Sequence, residues 1–392
     1  LDSLKELAGL QGLKEYCSRI RRRLHQHPEL SYQEISTSGF IMDELRELGI
    51  EGQRIAGTGV YAVLDSGLPG PSVAIRADID ALPLQEENKM AYASTVPGVM
   101  HVCGHDGHTA ILLGLAKVLK AEQKPGKVML LFQPAEESPP GGALDIVNSG
   151  VLAGVNYILG SHLTNQLPLG KIGLRSGNIM ASIDCFSVEI TGKGGHGSTP
   201  HHCIDPIVIG AHLVTAWQTI VSRNTDPMEP VVLTTGTFKS GSNFNIIPEH
   251  AAITGSVRCL SEAVREVAEV RFEEITKGVC SALGAAYQSD YRRGYPVLTC
   301  EPHLTDNVKK WVDAALGGNI ITDPPRNMWS EDFAYYGSVA PSAYFFIGAR
   351  NEERGFVYEN HNPRFDFDEE AMVMGIKTYM AILENMGSTV TV

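Results

Sequence analysis

The stretch "MHVCGHDGHT", residues 100–109, places His101, Cys103, His105 and His108 close together, with Asp106 among them. Thiol and imidazole are ligands for a borderline-soft divalent ion. Gly104, between Cys103 and His105, lets the backbone turn sharply enough to aim both side chains at one point. Partners for them stand elsewhere in the chain. Asp78 and Asp80 follow the apolar run in "SVAIRADID", the adjacent acids Glu136 and Glu137 follow that in "KVMLLFQPAEE", His162 follows that in "NYILGSHL", and His361 stands in "YENHNPRFDF". Together they are the ligand types that Zn²⁺ takes, and that Mn²⁺ or Ni²⁺ take less selectively. If one of the adjacent glutamates binds an ion, its neighbour is within reach of the water activated there. That neighbour takes the proton as the water attacks a carbonyl and returns it to the leaving amine, while the ion polarises the carbonyl. Asp80 would orient a ligand or tune the base. The chemistry indicated is metal-assisted amide hydrolysis. Each residue has an ordinary reading as well: an inert buried cysteine, a solvated pair of acids, turn aspartates before "ALP", a hydrogen-bonded edge histidine. One metal centre accounts for all of them at once.

The elements that must position these residues are legible as α/β organisation. Residues 13–47 read as helical, broken by "HQHPELS". Strands are expected at 72–76, 128–132, 157–160 and 343–348, with helices over 106–122 and 368–385. Asp106 is expected as the N-cap of the first of these helices. In open α/β sheets, ligands bind beyond the carboxyl ends of the strands, which is where the candidate residues fall. The middle of the chain reads β-α-β-β-α-β, the split pattern of a ferredoxin-like α+β domain. We read it as an insertion over 181–292 into an outer domain made of 1–180 and 293–392, with hinges near 180 and 293.

A formal net charge of −13 argues against a nucleic-acid partner. No uncharged apolar run approaches the ~20 residues of a membrane span. The N-terminal stretch reads as an amphipathic helix without the organisation of a signal peptide. Seven scattered cysteines form a poor disulfide framework, so reduced thiols and a cytoplasmic location are expected.

The motifs "RRRLHQHPELSYQE", "IRADIDALPLQEE", "MHVCGHDGHT", "LLFQPAEE", "GSHL", "GKGGHGSTPH", "NFNIIPEHAAITGSVR", "SEDFAYY" and "HNPRFDFDEEA" span nearly the whole chain. In this order they resemble the amidohydrolase branch of the dinuclear aminoacylase/carboxypeptidase-type metallopeptidases. That branch includes hippurate hydrolase, N-acetyldiaminopimelate deacetylase and plant auxin-conjugate amidohydrolases. The resemblance implies a catalytic domain with a central mixed sheet flanked by helices, and an inserted lid and dimerisation domain. It implies two divalent ions, Mn²⁺ or Zn²⁺ with Ni²⁺ or Co²⁺ as alternatives, held by Cys103, His105, Glu137, His162 and His361, with Cys103 shared. It implies Glu136 as general base, Asp80 as supporting acid and a structural role for Asp78. His196 would stabilise the oxyanion, and Asn245 and Arg258 would hold the substrate carboxylate. "HPEL" is read as a helix break, and His101, His108, His201 and His202 receive no ligand role. The chain departs from its relatives in "HLTNQLPLG" after His162 and in "YEN" before His361, both candidates to line the pocket.

The expected substrate is a small molecule, an N-acyl amino acid or similar conjugate, cleaved by a homodimer joined through the inserted domain. A dipeptidase or aminobenzoyl-glutamate hydrolase on the same scaffold is the alternative. A binding protein that holds metal without catalysis has no physical need of Glu136 and Asp80. A cytidine-deaminase-like zinc site would require a "PCxxC" that is absent.

Overall fold

The computed structural model describes residues 9–122, 124–317 and 321–388, and the chain divides into two compact units. The first consists of the chain up to Gly177, Thr299–Pro325 and the chain from Tyr335; the second of Asn178–Leu298 and Arg326–Ala334.

The first unit opens with helices α1 (Gly9–Gln26) and α2 (Ile35–Glu47). Pro28 ends α1, because proline disfavours helical backbone at the residue before it and has no N–H to donate. The Glu29 carboxylate then accepts the N–H groups of Ser36 and Thr37 in the first turn of α2. There follow β1 (Gly52–Ile55), β2 (Gly59–Asp65), β3 (Ser72–Asp78), α3 (His105–Ala121), β4 (Lys127–Gln133), α4 (Gly142–Asn148), β5 (Tyr157–Pro168) and β6 (Ile172–Gly173). The second unit holds β7 (Asp184–Thr191), β8 (Gly195–His196), α5 (Pro206–Arg223), β9 (Val231–Ser240), β10 (Ile246–Ile247), β11 (His250–Cys259), α6 (Glu262–Ala282) and β12 (Ala286–Arg293). The chain returns to the first unit with α7 (Pro302–Leu316), β13 (Ile321–Thr322), β14 (Ser342–Arg350) and α8 (Glu370–Ser388).

The first unit is α/β, built on an eight-stranded mixed sheet in the order β1-β2-β4-β3-β5-β14-β6-β13. Its centre is parallel: β3 pairs with β4 and β5, and β5 with β14. Consecutive residues of β3, β4 and β14 are buried, which is why these strands read as unbroken apolar runs and not as alternating ones. Ile75, Leu130, Leu159 and Ile347 are all buried here, each worth roughly 1.5–3 kcal/mol of apolar transfer. Helix α3 runs close to the sheet. A Cβ on Gly107 would lie 2.5 Å from both Leu163 Cδ1 and Phe367 Cζ.

Asp106 does not cap α3. Gly104 holds the N-cap position at φ 89°, in the left-handed region that favours glycine. Asp106 lies inside the first turn, where its buried carboxylate is taken by Arg21 and His25. Charge-assisted bonds inside the protein outweigh the exposed capping role that the local sequence suggests.

The second unit is a four-stranded antiparallel sheet in the order β9-β11-β7-β12, with α5 and α6 packed on it and β8 and β10 paired as a small ribbon. Its core stacks Trp217 on Phe272, ring centroids 4.8 Å apart, with Phe186 beside them. Arg326–Ala334 joins this unit through backbone bonds from Asn327 N–H to Ile179 O (3.1 Å) and from Ala181 N–H to Trp329 O (2.8 Å). The boundary 181–292 drawn from the sequence leaves that segment with the outer domain. No helix among the described residues is long and apolar enough to cross a membrane.

Candidate metal centre

Because β3, β4, β5 and β14 are parallel, their carboxyl ends share one edge of the sheet. Asp78 is the last residue of β3 and Asp80 lies just beyond it, Glu136 and Glu137 follow β4, and His361 stands in the connection from β14 to α8. Cys103 precedes α3, and His105 is its first residue. His162 lies inside β5, opposite Phe346 of β14, and not beyond the strand end that the apolar run 157–160 suggests. The ladder continues through polar residues because β14 supplies the partner groups.

These side chains converge. Cys103 Sγ lies 3.3 Å from His162 Nε2 and 3.3 Å from His361 Nε2, and His361 Nε2 lies 3.1 Å from Glu137 Oε1. Cys103, His105 and His162 form one group of candidate ligands, and Cys103, Glu137 and His361 another, each with its donor atoms within 4.8 Å of one another. The thiol belongs to both. Glu136 Oε2 and Glu137 Oε1 each lie 4.0 Å from His105 Nε2.

Hydrogen bonds behind these residues orient them. His105 Nδ1 faces Asp80 O at 2.9 Å and Asp80 Oδ1 at 3.2 Å, and His162 Nδ1 faces Leu163 O at 2.8 Å. Both rings therefore carry hydrogen on Nδ1 and present Nε2 to the site, the arrangement that orients an imidazole ligand. His105 Nε2 is buried and has no hydrogen-bond partner. Burial alone would lower the His105 pKa, but Asp78, Asp80 and Glu137 together outweigh it and pull it up to about 10. Burial, followed by the charges of Glu137, Glu136 and Asp78, holds the Cys103 thiol well above its ordinary range. An orphaned imidazole nitrogen, a buried thiol and two carboxylates leave a pocket in which positive charge is lacking. A divalent cation supplies it by displacing the protons, so the residues present fit such an ion.

Asp78 is engaged otherwise. Its Oδ2 accepts from Arg76 Nη1 at 2.6 Å, and its Oδ1 lies 2.6 Å from His108 Nδ1. His108 Nε2 accepts the Leu163 N–H at 2.8 Å, so both ring nitrogens are used and no lone pair is left for an ion. Buried His101 is held neutral, its pKa lowered to about 4 by desolvation.

His196, Asn245 and Arg258 belong to the second unit. His196 is exposed, and its Nδ1 accepts the Ser198 N–H at 3.1 Å, so hydrogen sits on Nε2. Asn245 immediately precedes β10 of the ribbon, its backbone carbonyl accepting the Gly197 N–H at 2.9 Å. Arg258 on β11 donates from Nη1 to Met328 O at 2.9 Å.

Two supporting residues, Ser31 and Arg21, have no role in the sequence reading, and a third, Asn360, enters it only within "YEN" as a candidate to line the pocket. Ser31 Oγ donates to Asp80 Oδ2 at 2.7 Å. Arg21 lies one turn before His25 on the buried face of α1, and two polar residues at that spacing on an apolar face are the signal available in the sequence.

A family model described as Peptidase family M20/M25/M40 matches residues 74–385. The chain is 48% identical over 321 residues to an N-acyl-L-amino acid amidohydrolase of Geobacillus stearothermophilus, covering 80% of this chain and 87% of that protein. It is 40% identical over 372 residues to thermostable carboxypeptidase 2 of Saccharolobus solfataricus, covering 93% and 94%. A crystal structure of a Bacillus subtilis protein described as a dinuclear metal binding peptidase from the M20 family superposes with a TM-score of 0.85 at 32% identity, covering 97% of this chain and 99% of that one.

Proposed function

The chain belongs to peptidase family M20/M25/M40, and from that premise we propose that it is a metal-dependent hydrolase that cleaves the amide bond of N-acyl amino acids or similar conjugates. The observation that carries this reading is the placement of two adjacent carboxylates. Glu137 lies in the ligand group with Cys103 and His361, while the buried Glu136 stands beside it, 4.0 Å from His105 Nε2.

Two divalent ions fit the two groups that share Cys103, as the dinuclear description of the Bacillus subtilis relative supports. Mn²⁺ or Zn²⁺ suits the mixed thiol, imidazole and carboxylate set, with Ni²⁺ or Co²⁺ as alternatives. The ligands are Cys103, His105, Glu137, His162 and His361. When bound, the ions polarise the scissile carbonyl and make water a nucleophile at neutral pH. Glu136 takes the proton from the attacking water and delivers it to the leaving amine nitrogen. Asp80 holds His105 and the Glu137 backbone in place.

By their motifs, His196 is assigned to the oxyanion and Asn245 and Arg258 to the substrate carboxylate. The Nε2–H tautomer of His196 supports a donor role. Dimerisation through the second unit belongs to the same reading, supported by the position of β9 at the edge of its sheet.

The test is release of free amino acid from a panel of N-acyl amino acids (acetyl, benzoyl, indole-acetyl, longer acyl) by metal-stripped protein with each ion restored. Turnover is expected to return with metal and to favour one acyl group. Glu136→Ala is expected to keep its metal and lose activity; full activity with metal bound would refute the base assignment. Because one relative is a carboxypeptidase, dipeptides and peptides form the second arm, and turnover confined to them would replace the N-acyl reading.

A further inference from the structure

The segment Ser31–Glu34 does more than connect α1 to α2. It grips the Glu136–Glu137 turn on both sides. After the turn, the Tyr32 hydroxyl donates to Ser138 O at 3.2 Å and accepts the Gly141 N–H at 3.2 Å. Before it, Glu34 Oε1 accepts the Ala135 N–H at 2.8 Å. The other Glu34 oxygen accepts from Thr58 Oγ1 at 2.6 Å. Glu34 and Ala135 are both fully buried.

Ala135 has φ +54°, in the left-handed region that an L-residue other than glycine rarely occupies. A buried conformation of this kind persists only when its surroundings over-determine it. Pro134 before it has no N–H to bind, and the Ala135 N–H points to Glu34. The direction in which the chain leaves Ala135 decides where Glu136 points, while the Glu137 N–H is held separately by Asp80 Oδ2 at 3.0 Å.

We propose that Glu34 is a positioning residue for hydrolysis: its carboxylate holds Ala135 in the left-handed conformation and thereby aims Glu136 at the attacking water. The proposal rests on the assignment of Glu136 as general base. Reach, and not charge, is the property used, because the bond goes to a neutral peptide N–H.

The experiment measures kcat, KM and bound metal per chain for Glu34→Ala, Glu34→Asp, Glu34→Gln and the double variant Glu34→Ala/Ala135→Gly, with Glu136→Gln as reference. Glu34→Ala is expected to lower kcat by roughly 10–100-fold with KM and metal content little changed. Glu34→Asp keeps the charge but draws the carboxylate back by one methylene, and is expected to fall with it. It serves in place of the alanine variant should that fail to fold. Glu34→Gln still offers an oxygen to Ala135 N–H, and the Thr58 hydroxyl can turn to accept from the amide, so most of kcat is expected to return. Glycine takes positive φ without steric cost, so Ala135→Gly is expected to recover part of the alanine loss. A wild-type kcat in Glu34→Asp overturns the proposal. So does Glu34→Asp outperforming Glu34→Gln, or a loss that follows metal content, or a double variant no better than Glu34→Ala. Full activity in metal-loaded Glu136→Gln would be a failure of the base assignment itself, read from a different protein sample.

Discussion

Asp80 Oδ2 accepts the backbone N–H of Glu137 at 3.0 Å, which ties the end of β3 to the turn that follows β4. The same carboxylate faces His105 through Oδ1 and receives the Ser31 hydroxyl on Oδ2. One buried acid thus registers the segments that carry the candidate ligands His105 and Glu137. Burial would raise its pKa, but the hydrogen bond and charge of His105, with the Ser31 and Glu137 donors, hold it below the ordinary carboxylate value.

Asp80→Ala leaves the Ser31 hydroxyl and the Glu137 N–H facing a void, while His105 Nδ1 keeps only the backbone oxygen of residue 80. The expected loss is roughly 10–100-fold in metal affinity or kcat, with Asp80→Asn impaired less because it still offers one oxygen. Metal content after dialysis, measured beside kcat, checks this. An alanine variant with full metal and full kcat would show that the backbone alone holds the turn.

Asn360 joins the three segments that carry the candidate ligands Cys103, His162 and His361. It precedes His361, and its Nδ2 donates to Cys103 O at 3.0 Å and to Leu163 O, next to His162, at 3.2 Å. His361 itself has φ +66°, so its backbone depends on such support. Asn360→Leu is expected to weaken Zn²⁺ binding by roughly 10–100-fold, read by competition with a chromophoric chelator. An unchanged dissociation constant would rule the tie out.

Arg21 is wholly buried. It donates from Nε to Asp106 Oδ2 at 3.0 Å, pairs with Asp366 and Glu369, and lies over the rings of Tyr92 and Phe367. It thereby connects α1, the first turn of α3 and the segment leading from His361 into α8. Removing one partner from such a network leaves buried charges uncompensated. Arg21→Met is expected to cost about 3–5 kcal/mol of unfolding free energy. Arg21→Lys, which lacks the planar fork, is expected to recover little. Denaturant titration decides, and a cost below about 1 kcal/mol in Arg21→Met would contradict the network's role.

His25 makes stability depend on pH on the alkaline side. Its Nδ1 lies 2.8 Å from Asp106 Oδ2 and its Nε2 lies 3.2 Å from Glu86 Oε1, with Arg21 and the rings of His101 and Tyr92 nearby. Burial pushes its pKa down, but Asp106 and Glu86 outweigh burial and Arg21 and raise it to about 9. The unfolded value is about 6.5. The protonated ring therefore stabilises the fold fully below about pH 6.5, and that contribution is lost as pH rises through about 9. Unfolding free energies from pH 6 to 10 are expected to decline by a component, a few kcal/mol at most, that is missing in His25→Gln. Parallel curves for the two proteins would refute it.

The candidate metal ligands were legible because their types are chemically distinctive and several of them follow apolar runs. The runs themselves were legible because the central strands are buried on both faces. What lay behind the ligands was less so. "HPELSYQE" reads locally as a helix break, which it is, but nothing in its own residues points to Asp80, Ala135 or Gly141. Asp106 reads as a helix cap and is instead claimed by Arg21 and His25. Asn360 enters the sequence reading only within "YEN", and nothing in that stretch points to the carbonyls of Cys103 and Leu163.

The sequence by itself determined the residue types available for hydrolysis, the helical and extended periodicities and the βαββαβ order of the middle segment, since these depend on neighbours within a few positions. Tertiary structure alone decided that β4 lies between β2 and β3, that His162 stays inside β5, and that Cys103 lies within reach of both His162 and His361. Those outcomes are set by pairing and packing between segments far apart in the chain. A buried donor there takes whichever acceptor the fold brings to it, and local sequence does not encode that choice.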